Sequence, residues 1–84
     1  MLYPLTVSNT QIAISRAIAV QLARTNRTQA WLADAVKLTP ASLSNRMVGR
    51  VLWDTDDISK IAAAFGFDSF EFLRLAEAES RIAA

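Results

Sequence analysis

The chain has 84 residues, 52% of them apolar and 20% charged, with two glycines, two prolines and a net charge of +1. That apolar share excludes a disordered polymer, and the length leaves room for a single domain that buries only about 60–65% of its unfolded surface. With no cysteine and no histidine, disulfides, thiolate zinc sites and histidine-based triads are excluded, so the expectation is a protein that is not an enzyme and needs no metal or cofactor.

Met1 to Val7 contains Tyr3-Pro4 and no basic run, which argues against a secretory signal, and residues 1–8 read as an extended arm. No apolar stretch approaches the ~20 residues of a membrane span, so a cytoplasmic location is expected. A first helix starts after Ser8 or Asn9 and runs to about Arg24, with Ile14, Ile18 and Leu22 as its buried stripe. Arg24-Thr25-Asn26-Arg27 is a polar break. Thr28 caps a second helix over 29–36, whose inward face is Ala30, Leu32, Ala33 and Val36, with Trp31 at the core edge. Lys37-Leu38 is a short connection. Thr39-Pro40 opens a third helix with a cap followed by proline at its first position; Leu43 and Met47 anchor it, and it ends near Val48 at Gly49.

Arg50 to Trp53 form a loop that tucks Leu52 and Trp53 against the body. Asp54 or Thr55 caps a fourth helix, Asp56 and Asp57 complement its dipole, and Gly66 ends it. Ile58, Ile61, Ala62 and Phe65 face inward. Asp68 and Glu71 have capping-box spacing and open a fifth helix over about 69–82. The expected fold is all-α, a compact five-helix domain: an arm at 1–8, a four-helix core at 9–67 with a helix-turn-helix at 28–48, and a C-terminal helix at 68–84.

The charge is polarised. Residues 1–53 carry six basic residues against the single acid Asp34, a net +5, while residues 54–84 carry three against seven, a net −4. A chain so divided suggests that its N-terminal two thirds face a polyanion. The third helix adds to this. Opposite Leu43 and Met47 it shows Pro40, Ala41, Ser44 and Asn45, with Arg46 beside them, and none of the Glu–Lys pairs that support a solvated helix. A narrow, neutral front of short hydrogen-bonding side chains suits the major groove of a duplex.

Residues 28–73 resemble the lambda-repressor-like helix-turn-helix family, also called XRE or Cro-type. The resemblance is carried by Thr28-Gln29-Ala30, Leu32-Ala33, Leu38-Thr39-Pro40-Ala41-Ser42-Leu43-Ser44, Gly49, Ile58, Lys60-Ile61-Ala62, Phe65-Gly66-Phe67 and Phe72-Leu73. Arg46 and Met47 depart from the commonest pattern, which has an aliphatic residue and Glu there. The resemblance implies a sequence-specific regulator of transcription bound to double-stranded operator DNA. Its type would be a repressor, phage immunity or Cro-like, acting in the bacterial host cytoplasm if phage-encoded. The DNA-facing set it implies is Arg27, Thr28, Gln29, Thr39, Pro40, Ala41, Ser42, Ser44, Asn45, Arg46 and Arg50.

Within that set Gln29 is implied as a phosphate contact, with Ser42 or Thr39 doing the same at the third helix. Asn45 would pair with adenine N6 and N7, and Ser44 and Ala41 would touch a neighbouring base edge or a thymine methyl. Arg46 would read guanine, grip phosphate, or pair with a carboxylate such as Asp34. Arg50, Arg27 and Lys37 would neutralise the backbone. Each has a plain alternative: Gln29 as a first-turn residue, Asn45 as a solvated amide, Ser44 as packing against the second helix, Lys37 as an ordinary surface lysine. Asp54, Asp56 and Asp57 have the start of a calcium-loop pattern, but Ile58 breaks it, and dipole complementation is the better account. Trp31 and Trp53 serve as core or core-edge anchors rather than base-stacking platforms.

The fifth helix carries Phe70, Phe72, Leu73, Leu75, Ala76, Ala78, Ile82 and Ala83. It is either a homodimer surface that spaces two recognition helices about 34 Å apart, or a helix packed on the first helix of its own chain. The functional alternative is a protein-interaction bundle such as an antitoxin or adaptor. No membrane partner and no small-molecule substrate are expected.

Overall fold

The computed structural model describes residues 8–83, and its secondary structure is five helices: α1 (Asn9–Arg24), α2 (Gln29–Ala35), α3 (Pro40–Met47), α4 (Thr55–Phe65) and α5 (Ser69–Ala83). Apart from Ser8, the expected arm lies outside the described residues.

Each helix start is closed by a short-range hydrogen bond to an otherwise orphan N–H. Ser8 accepts from the Gln11 N–H, Thr28 from Trp31 at 3.1 Å, and Thr39 from Ser42 at 3.1 Å. Asp54 and Asp57 exchange side chain-to-backbone bonds in a capping box at 2.7 and 3.1 Å, so Asp54 rather than Thr55 is the cap. Asp68 and Glu71 do the same at 2.8 and 3.0 Å. The Glu71 N–H holds the Asp68 carboxyl below its ordinary value.

The ends of α1 to α4 share one device. A residue with positive φ turns the chain, and it and its successor donate back to carbonyls of the last turn. Asn26 (φ 55), Lys37 (φ 62), Gly49 (φ 84) and Gly66 (φ 86) hold these places. The long bonds run from Arg27 to Leu22, Leu38 to Ala33, Arg50 to Asn45 and Phe67 to Ala62, at 2.8–2.9 Å. Gly66 has nothing within 4 Å of where a Cβ would stand. Gly66→Ala is therefore expected to lose about 1 kcal/mol through backbone strain alone, measured by urea unfolding; an unchanged midpoint would contradict this.

α5 packs along α1 and against α4, α2 packs on α3, and α2 also touches α4. Phe72, Ile14, Ile18, Leu32, Leu43 and Ile61 are fully buried at the centre, each contributing about 2–3 kcal/mol of burial. Of the two roles considered for the fifth helix, the intrachain one is seen. Phe72 and Ala76 are buried, Leu73 and Leu75 are partly buried against the core, and Glu79 reaches Arg24 of α1 at 3.3 Å.

Two expected core positions are exposed. Ala30 stands two residues from Leu32, about 200° round the helix, and so lies off the Leu32–Ala33–Val36 stripe. Leu52 is 46% exposed while Trp53 is 4% exposed. The indole takes the inward place, where its N–H finds the Ser15 hydroxyl. Phe65 is half-buried, at the core edge with Trp31. Among the described residues no helix is long and apolar enough to cross a membrane.

Candidate nucleic-acid interface

α2, the Lys37-Leu38 turn and α3 form a helix-turn-helix. Leu43, with no exposure, pins α3 inward, and Met47 packs half-buried beside the core. This rotation puts Pro40, Ala41 and Ser44 in solvent, with Ser42 and Asn45 half-exposed beside them. Among the described residues the side-chain polar atoms of Gln29, Ser44 and Asn45 have no partner, whereas Thr28 and Thr39 use a hydroxyl lone pair as caps and retain an O–H to donate. The front of α3 is thus neutral, small and unsatisfied. That combination lets donors and acceptors meet base edges without first breaking an internal bond.

The six cations of residues 1–53 divide into two groups. Arg24 pairs with Glu79, and Arg46 pairs with Asp57. Arg16, Arg27, Lys37 and Arg50 are exposed, and their side chains make no hydrogen bond or ion pair among the described residues. Arg27 instead lies over the Trp31 ring, its Cζ 4.1 Å from the centroid. Arg27, Thr28 and Gln29 are contiguous and exposed at the start of α2, and Arg50 is exposed just after α3.

Arg46 finds its carboxylate at Asp57, not Asp34. Its Nε donates to Asp57 Oδ2 at 2.9 Å and a terminal nitrogen donates to the Ser42 carbonyl at 3.1 Å, with 18% of the side chain exposed. The same Oδ2 accepts the Asp54 N–H. One oxygen therefore ties α3 to the start of α4. Asp34 lies on α2, whereas the packing turns the Arg46 side of α3 toward α4.

A second tie was not among the expected site residues. Gln11 of α1 bonds both ways with the Trp53 backbone, its Nε2 donating to the carbonyl at 3.0 Å and its Oε1 accepting the N–H at 2.6 Å. The Trp53 indole N–H donates to the buried Ser15 hydroxyl at 2.9 Å. Trp53 is thereby an anchor of the chain leaving α3. The sequence signal was the polar pair Gln11 and Ser15, continuing the row of Ile18 and Leu22 at the alternating four- and three-residue spacing of one helix face. Polar groups on a buried row need specified partners.

No protein-family model matches the sequence, and no curated protein matches it. Among solved structures, the clp gene regulator ClgR from Corynebacterium glutamicum superposes with a TM-score of 0.76 at 21% identity, over 95% of this chain and 83% of that one. Over nearly its whole length the chain therefore has the all-α helical fold of that regulator.

Proposed function

We propose that the protein is a sequence-specific double-stranded DNA-binding regulator of transcription that reads the major groove through α3. The observation that carries this is the neutral, unsatisfied front of α3 bracketed by unpaired arginines before α2 and after α3. Asn45 is the base reader, with Ser44 and Ala41 against neighbouring edges and Pro40 narrowing the entry. Gln29, Thr28, Thr39 and Ser42 contact phosphates, and Arg27 and Arg50 neutralise them. Arg46, held by Asp57, orients α3 rather than reading a base. The likeness to a gene regulator supports the same reading. The regulatory mode is repression by occupancy, of the phage-repressor type that the sequence resemblance implies. A homodimer through α5 would use what intrachain packing leaves free, chiefly Phe70 at 73% exposure.

A protein-interaction bundle is the second reading, favoured by the exposed Val48, Val51 and Leu52 after α3. Binding to a random duplex between 50 and 200 mM salt separates the two. Affinity should fall steeply with salt, and Arg50→Ala should flatten the log–log slope by about 0.9, the share of one phosphate. No detectable binding even at the lowest salt would favour the protein-interaction bundle.

A further inference from the structure

Arg27 occupies an unusual setting for an exposed cation. The turn that ends α1 places it one residue after Asn26, its N–H bonded to the Leu22 carbonyl at 2.9 Å, so its backbone is fixed. Its guanidinium then lies 4.1 Å over the Trp31 ring. The indole is itself braced, its ring centroid 5.7 Å from that of Phe65 at the end of α4. A guanidinium placed over a ring is held there by its charge, and its N–H donors stay available to an acceptor outside. None of them has a partner among the described residues. Arg50, also unpaired, has no such platform.

An arginine free in solvent loses rotamer freedom when it meets a phosphate. One already held over a ring has lost part of it before binding. We propose that Trp31 is the positioning residue for Arg27, holding its guanidinium in place so that its donors meet a duplex phosphate in an orientation set before binding. Phe65, through Trp31, extends this support to α4. The inference rests on the DNA-binding reading and adds to it a residue that does not itself touch DNA.

The test is a double-mutant cycle on binding of a labelled random duplex, with folding of each variant checked by circular dichroism and melting. Trp31→Leu keeps apolar bulk but removes the ring face, and Trp31→Phe keeps a face. Arg27→Ala should weaken binding and flatten the salt slope by about 0.9. Trp31→Leu should weaken binding about two- to tenfold, the cost of ordering one long side chain on binding, and Trp31→Phe should restore most of it. In the Arg27→Ala background, Trp31→Leu should add nothing. In the nuclear magnetic resonance spectrum, the Arg27 side-chain signals should carry a ring-current shift in the wild type and lose it in Trp31→Leu. Wild-type binding with additive losses, or with Trp31→Leu unchanged, would overturn the role of Trp31 alone. Absence of wild-type binding at every salt would overturn the DNA reading together with it.

Discussion

Asp57→Ala is expected to destabilise the domain by about 3 kcal/mol, out of roughly 4–12 kcal/mol for a chain of this size. The substitution removes three things together: the carboxylate that holds Arg46, the acceptor for the Asp54 N–H, and a negative charge in the first turn of α4. It also leaves a guanidinium only 18% exposed without its counter-charge. Arg46→Met should lose less, about 1 kcal/mol, because the aliphatic stem is replaced in kind. Asp57 then still accepts the Asp54 N–H and faces the positive end of α4. The double variant should lose less than the sum of the two, since no buried charge is left alone. Urea unfolding of the four proteins gives the cycle. In melting curves, the midpoint of Asp57→Ala should fall by about 12–24 °C. A loss below 1 kcal/mol would mean that the α3–α4 tie is incidental.

Asn45→Ala is expected to weaken binding to a site selected from random duplex by about 1–3 kcal/mol, or roughly 5- to 150-fold. Affinity for unselected duplex should stay unchanged. The asymmetry follows from chemistry: an amide that bridges adenine N6 and N7 discriminates between bases, whereas it adds little to a phosphate-driven complex. The Asn45 side chain has no partner among the described residues, so its removal disturbs no internal bond, although its backbone carbonyl accepts from Arg50 and Val51. Circular dichroism should therefore show an intact fold. Equal losses on selected and unselected duplex would remove the base-reading role and leave Asn45 a solvated amide.

These predictions draw on different ranges along the chain. The caps at Ser8, Thr28, Thr39, Asp54 and Asp68 join residues three apart, and Gly49 and Gly66 act through their own φ angles. Such signals are local and legible in any window of a few residues. The front of α3 was legible for a related reason: once Leu43 and Met47 face inward, helical periodicity assigns Pro40, Ala41, Ser44 and Asn45 to the other side. The ends of α1 and α2 were less legible, because Asn26 and Lys37 hold left-handed positions that glycine would have announced.

The amino-acid order by itself determined where each helix starts to within a residue, most of its apolar stripe and which segment is small and neutral, since these depend on neighbours within one or two turns. Only the packed chain decided that Arg46 meets Asp57 rather than Asp34, that Gln11 and Ser15 anchor Trp53 from about forty residues away, and that Leu52 is left in solvent. It also decided that α5 lies against α1 of the same molecule. Those outcomes are choices among several chemically acceptable partners. Which one wins depends on which helices a shared core brings within 3 Å, and local sequence carries no record of that distance.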